Sequence, residues 1–272
     1  RDWSSDVCSS DLVRLVFKGV SHTAKVFVDE NQVAEHYNAF TQFEAVVKNL
    51  PSGVHKLSVL VDNSFSEASA LHVENDYQSY GGISRGVMIE QLPKHYIKQL
   101  HFTPVCKDDT WYAQLELVIA SLDGKPWKGK VSVSLKGCDD VNENVLYTQS
   151  CSTGAGELVL KSDLIACENA KPWAPEHPTL YMLSAQLEDE DGKVIDDLTD
   201  RVGFREVRTQ GKDILLNGKK LQIKGFCRHE DHPQFGCALP LSAIMQDLQL
   251  ARDMGANSIR TSHYPNDELF LD

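Results

Sequence analysis

The chain has 272 residues, enough for one large domain or two to three ordinary ones. With 42% hydrophobic and 24% charged residues, it has a globular composition and can bury a sizeable core. Its formal net charge of -12 argues against nucleic acid and anionic membranes as main partners, because both call for a basic face.

The first dozen residues, RDWSSDVCSSDL, are polar and without period. They read as a leader foreign to the fold, covering residues 1–12. Strand-like sequence starts at Val13. VRLVFKGV, KVFVDE, QFEAVV and HKLSVLV are short, rich in Val, Leu and Phe, and divided by turn-like segments. In the first of these, Val13, Leu15 and Phe17 alternate with Arg14 and Lys18, which predicts one buried face. Pro51-Ser52-Gly53 and Tyr80-Gly81-Gly82 punctuate the run. This block spans residues 13–97.

A second strand-rich block covers residues 98–205. WYAQLELVIA, KVSVSLKG, GELVLKS and LYMLSAQLED each alternate. Val131, Val133 and Leu135 should face the core, with Ser132, Ser134 and Lys136 turned away. Asp123-Gly124 and Asp191-Gly192 are turn signals. Strands at this spacing, over about 100 residues, suggest an immunoglobulin-like β-sandwich. The segment KPWAPEHPTLY is too rich in proline for a central strand, and predicts a fixed loop leading into a strand at Tyr181.

The character changes across residues 206–272. Leu221-Gln222-Ile223 reads as a short strand, and a polar loop follows from Arg228 to Gly236. A helix comes next, capped near Ser242, with Ile244, Met245, Leu248, Ala251 and Met254 on its apolar face and Gly255 at its end. Asn257-Ser258-Ile259-Arg260 is a further strand. A loop from Thr261 to Pro265 leads into a second helix near Asn266 or Asp267. Strand, loop, helix, repeated, is the pattern of a parallel α/β fold.

Seven cysteines are scattered: Cys8, Cys106, Cys138, Cys151, Cys167, Cys227 and Cys237. The odd number and the lack of a CxxC pair point to a reducing compartment rather than a disulfide scaffold. No apolar run reaches the roughly 18 residues that a membrane helix needs. The cytoplasm is therefore the expected location. Periplasmic or secreted placement stays open, because the chain starts at Arg1 and its true N-terminus is expected to lie elsewhere.

Two loops carry the candidate chemistry. They are Arg228-His229-Glu230-Asp231-His232-Pro233 and Arg260-Thr261-Ser262-His263-Tyr264-Pro265. Each follows a predicted strand and precedes a helix. In a parallel α/β barrel such loops lie on the C-terminal face, where active sites form. His229, Glu230, Asp231, Arg260 and His263 should thus converge on one mouth. The plain alternatives are a solvated loop for the His229–His232 run, an ion-pair partner for Arg260, and a turn former for Tyr264-Pro265. A metal site is another reading, since His229, His232 and His263, with Cys227 or Asp231, are suitable ligand types without a tight ligand spacing. There is no GxSxG elbow, no P-loop and no GxGxxG after a strand, which counts against serine hydrolase, nucleotide hydrolase and dinucleotide-dependent chemistry.

The segments DRVGFREVRTQGKDILLNGKKLQIKGFCRHEDHPQFG and DMGANSIRTSHYPNDELFLD resemble the sandwich–barrel junction and barrel opening of family 2 glycoside hydrolases, of the β-galactosidase and β-glucuronidase type. FKGVSHTAKVFVDENQV and NDYQSYGGISRGVMIEQLP resemble its N-terminal jelly roll, and PWAPEHPTLYML the end of its immunoglobulin-like domain. The likeness covers all but the leader. It implies a multidomain β plus α/β fold: a jelly-roll sugar-binding sandwich truncated at its N-terminus, an immunoglobulin-like sandwich, then the first strands and helices of a (β/α)8 barrel. A truncated sandwich would leave an open strand edge.

The implied reaction is retaining hydrolysis of terminal β-galactosides or related β-glycosides, with β-glucuronides as the alternative. That chemistry uses two carboxyl groups about 5 Å apart. In the family both are glutamates on later barrel strands, expected beyond Asp272, so this chain alone is expected to be inactive. Glu230 does not match either one. Substrate-binding roles carry over to His229 and His263, which line the sugar pocket, to Arg260, which positions the pocket's carboxylates, and to Asp76, which reaches from the jelly roll toward sugar hydroxyls. Cys227 stands where many relatives have Asn. No cofactor is required, although an Mg or Na ion occurs in some relatives, and the complete enzyme is open to homo-oligomer formation. A carbohydrate is the expected partner. A non-catalytic carbohydrate-binding module and a metal-dependent hydrolase remain as rivals, but the first has no need of the α/β tail.

Overall fold

The computed structural model describes residues 12–64, 77–138, 143–154 and 156–271. The chain divides into two compact units. One joins residues 1–91 with residues 223–272, and the other runs from Leu92 to Gln222.

The first part of the first unit is antiparallel β structure. Its strands are β1 (Leu12–Phe17), β2 (Val20–Ser21), β3 (Thr23–Val28), β4 (Asn31–Tyr37), β5 (Phe43–Lys48), β6 (Leu57–Asp62), β7 (Gly82–Ile83) and β8 (Val87–Gln91). They form two three-stranded sheets, β5-β1-β8 and β4-β3-β6, and a small pair, β2-β7. Leu15, Phe17, Val20, Ala24, Val26, Val28 and Ala45 make the core between them. The Phe17 and Phe43 rings stack in that core with centroids 5.0 Å apart. Two details differ from the sequence reading. Leu12, assigned to the leader, opens β1 opposite Lys48. Val16, on the face opposite Leu15, is also buried, so alternation understates how much of this central strand is covered.

The second unit is the immunoglobulin-like sandwich. It contains β9 (His95–Lys107), β10 (Thr110–Ser121), β11 (Trp127–Gly137), β12 (Asn144–Thr153), β13 (Glu157–Lys161), β14 (Ile165–Ala166), β15 (Tyr181–Asp189) and β16 (Val194–Val202), followed by β17 (Val207–Gln210), β18 (Asp213–Leu216) and β19 (Lys219–Lys220). One sheet has β10 at its centre with β9, β13 and β14; the other has the order β12-β11-β15-β16. Val131, Val133 and Leu135 are buried, as their alternation predicts, and sit opposite Leu187, Ala185 and Leu183 of β15. From the facing sheet, Leu115, Leu117 and Ile119 complete the core. Phe204 is wholly buried and meets Phe102 and Tyr181 edge to face, at 5.2 and 5.3 Å. The proline-rich segment is the predicted loop. Ala174 and His177 exchange backbone hydrogen bonds at 3.0 Å, and the Tyr181 hydroxyl accepts one from the Lys171 N–H at 2.7 Å. β17, β18 and β19 belong to this second compact unit, not to the one that holds the residues that follow.

The first unit resumes with β20 (Gly225–Arg228), α1 (Leu241–Asp253), β21 (Ser258–Thr261) and α2 (Glu268–Leu271). β20 and β21 pair in parallel, with Cys227 opposite Arg260. A parallel pair joined through a helix is one βαβ unit of an α/β fold.

Four local expectations are corrected here. Residues 221–223 are not a strand: Leu221 donates its N–H to the Ile214 carbonyl of β18. The strand begins at Gly225 instead, paired with Ser258, and a Cβ at 225 would collide with the Ser258 carbonyl oxygen, so only glycine permits that approach. β21 likewise starts one residue later than expected, and Asn257 brackets Lys224 through both its backbone N–H and its side-chain oxygen. α1 starts on Pro240 without a side-chain cap rather than near Ser242; proline's fixed φ suits a helix entry. Its buried residues are Ala243, Ile244 and Ala251, while Met245 and Met254 are exposed, so the covered stripe is rotated from the predicted one. Gly255 does end the helix, at φ +77°, donating its N–H to the Arg252 carbonyl.

Candidate functional site at the barrel mouth

The two candidate loops leave the same ends of β20 and β21. Because the strands are adjacent and parallel, their C-terminal ends share one edge. The ladder continues one step into the loops, where the Ser262 N–H donates to the Arg228 carbonyl at 3.0 Å. Arg228 itself turns to the helix. Its Nε and Nη2 donate to Asp247 Oδ2 at 2.9 and 2.7 Å, and its guanidinium lies 4.9 Å from the Phe270 ring centre.

His229 and His263 are brought together. Their rings meet edge to face, with centroids 5.0 Å apart. Tyr77, in the segment leading into β7, lies against both, at 5.3 and 6.2 Å, and Tyr264 is 6.1 Å from His229. Nδ1 of His229 is buried and has no hydrogen-bond partner among the described residues. Arg260 joins the group: its Nη1 lies 3.1 Å from His263 Nδ1, 3.2 Å from Ser262 Oγ and 3.7 Å from Cys227 Sγ. Hydrogen bonds from Ser262 and then Arg260 favour the thiolate and lower the Cys227 pKa. Three of the four expected site residues therefore share one rim. The fourth, Asp76, lies outside the described residues.

The neighbouring acids are committed elsewhere. Glu230 is buried, and its Oε2 accepts a hydrogen bond from Arg85 Nη2 at 2.8 Å. Its other oxygen faces the Asp267 N–H at 3.4 Å. Asp231 is exposed and accepts from the Tyr80 hydroxyl at 2.7 Å, which holds the Tyr80 proton and raises its pKa. His232 is engaged within its own loop. It stacks on Phe235 at 4.9 Å, and its Nδ1 accepts from the Gln234 N–H. Among the described residues, no three His, Cys, Asp or Glu side chains converge on a point that could hold a metal ion. No described helix is long and apolar enough to cross a membrane.

Arg85, Tyr77 and Phe40 are not among the expected site residues, and Tyr80 is expected only as part of a turn. The Phe40 and Tyr264 rings stack at 4.0 Å with planes 4° apart, and Gly236 packs under the Tyr80 ring, where a Cβ would meet it at 2.9 Å. Tyr77, Tyr80 and Arg85 share one sequence signal, an aromatic and arginine-bearing segment within an otherwise strand-like block; Phe40 has none.

Three family descriptions match the chain in sequence: glycosyl hydrolase 2 galactose-binding domain-like over residues 2–103, glycosyl hydrolases family 2 over residues 95–205, and glycosyl hydrolases family 2, TIM barrel domain, over residues 207–272. The chain belongs to glycosyl hydrolase family 2. A putative β-glucuronidase of Formosa agariphila is 30% identical over 97% of this chain and 31% of its own length. A β-galactosidase of Thermoanaerobacter pseudethanolicus is 30% identical over 96% of this chain and 35% of its own length. Among solved structures, a family 2 β-galacturonidase from Eisenbergiella tayi bound to galacturonate is 53% identical, with a TM-score of 0.90, over 96% of this chain and 46% of that one. This family 2 chain thus spans about a third of the curated relatives named and under half of that structure.

Proposed function

We propose that this chain is the sugar-gripping front of a family 2 retaining β-glycosidase that removes a terminal β-linked sugar, with a galacturonide as first choice of substrate. The carrying observation is the His229–His263 pair, held at one rim with Arg260 beside it. Imidazole and guanidinium groups give a dense set of directional donors and acceptors for sugar hydroxyls and for a uronate carboxylate. The 53% identity to a β-galacturonidase supports the uronide choice over a plain galactoside. Glucuronides and galactosides are the competing glycones, supported by the 30% identical relatives.

In this reading Asp76, His229, Arg260 and His263 bind the glycone. Two glutamates on later barrel strands act as nucleophile and acid/base, and carboxyl chemistry of this kind needs no metal or organic cofactor. Glu230 is not one of them, since its carboxylate is buried on Arg85. The scattered cysteines support a reducing, cytoplasmic setting.

The test is hydrolysis by the complete enzyme of p-nitrophenyl β-D-galacturonide, β-D-glucuronide and β-D-galactoside. Highest kcat/KM on the galacturonide, with the anomeric configuration retained in the first-formed product, is the expected result. Preference for the neutral galactoside would overturn the uronide assignment, and no turnover of any of the three would overturn the enzyme reading.

A further inference from the structure

We propose that Arg85 is a positioning residue for the imidazole pair, setting the two histidine loops from the N-terminal β-sheets; this rests on the glycosidase reading. The Arg85 and Glu230 side chains are only 5% and 6% exposed. The guanidinium reaches three segments at once. Nη1 donates to the Phe40 carbonyl at 2.9 Å, and Nη2 donates to Glu230 at 2.8 Å and to the Pro265 carbonyl. At its root the side chain is pinned against Gly19, whose carbonyl accepts the Ser84 and Arg85 N–H groups at 3.1 and 3.4 Å.

Each histidine is followed directly by a residue of this cluster. His229 precedes Glu230, which is held by Arg85. His263 precedes Tyr264, whose ring stacks on Phe40 and whose hydroxyl accepts the Glu230 N–H at 2.9 Å. The backbone after each imidazole is therefore tied to the other loop and to the N-terminal β-sheets. A buried ion pair is weak evidence of stability, because desolvating two charges offsets their attraction. A planar fork that reads three acceptors in fixed geometry is better explained as an alignment device.

Arg85→Lys in the complete enzyme keeps the charge but cannot span the three acceptors. The expected result is a kcat for the preferred aryl β-glycoside that falls on the order of 10- to 100-fold while KM moves little, since small misplacements near a reacting centre cost about that much. A second readout does not need activity. Carbethoxylation of His229 and His263 by diethyl pyrocarbonate, followed by peptide mass spectrometry, should quicken several-fold in the variant.

Arg85→Lys that folds with kcat and both histidine rates unchanged overturns the proposal. If Arg85→Lys does not fold, the double variant Arg85→Met with Glu230→Met removes both charges at similar volume and serves in its place. Failure of both to fold makes the pair structural and also overturns the proposal. If the parent enzyme hydrolyses no glycoside, the functional reading falls, while the histidine rates still decide the role of Arg85.

Discussion

The imidazole rings of His229 and His263 stand edge to face at 5.0 Å, one on each of two neighbouring parallel strand ends. A pair at this distance can hold two hydroxyls of one sugar ring, or one hydroxyl and a carboxylate.

His229→Ala or His263→Ala in the complete enzyme should each lower kcat/KM for the preferred β-glycoside by on the order of 10- to 100-fold, the worth of a hydrogen bond to a charged group. The double variant should lose less than the product of the two, because both histidines serve one ligand. Steady-state kinetics on the three enzymes checks this. Losses that multiply fully would mean the two imidazoles act separately.

Gly225→Ala should destabilise the first unit by about 3 kcal/mol or more, since the added carbon collides with the Ser258 carbonyl in the β20–β21 pair. Gly255→Ala, at φ +77° with open space around it, should cost only about 1 kcal/mol. Denaturant midpoints of the two variants against the parent give the comparison. An unchanged midpoint for Gly225→Ala would contradict the close strand approach.

Cys227 should be the first cysteine alkylated by iodoacetamide near neutral pH. It is exposed, and Ser262 and Arg260 lower its pKa, whereas burial raises those of Cys151, Cys167 and Cys237. Arg260→Ala should slow it. Peptide mass spectrometry over a time course reads the order, and early labelling of Cys151 would refute it.

His55 and Asp29 form an ion pair on the surface of the N-terminal β-sheets. The hydrogen bond to Asp29 raises the His55 pKa, and the bond from His55 lowers that of Asp29. The histidine contribution is complete below the unfolded value near 6.5 and is lost as pH rises through the higher folded value. The aspartate contribution is complete above about 3.9 and is lost as pH falls through the lower folded value. The pair therefore favours folding most between about pH 4 and 6.5, weakly and with screening by salt. An NMR titration should show the His55 midpoint falling toward 6.5 in Asp29→Ala. An unchanged midpoint would refute the pairing.

Much of the architecture is legible from neighbouring residues alone. Alternation at Val131, Val133 and Leu135 identifies a half-buried strand, and Gly255 marks the end of α1, because backbone period and turn chemistry act over a few residues. The meeting of His229 and His263 is also legible, since it follows from two consecutive parallel strands whose loops share an edge. Less legible is where a strand begins when its limit is set by a distant partner, as Gly225 is by Ser258.

By itself, the amino-acid order determined the succession of β, β and α/β blocks and the edge on which the two histidine loops emerge. Only the tertiary structure decided that Arg85 reaches Glu230, that Tyr77 lies against both imidazoles, and that the N-terminal β-sheets and the βαβ segment form one compact unit. The physical reason is range. Local period is written in adjacent side chains, whereas a buried ion pair between residues far apart in the chain exists only once packing has closed the loop between them and removed the water around both charges.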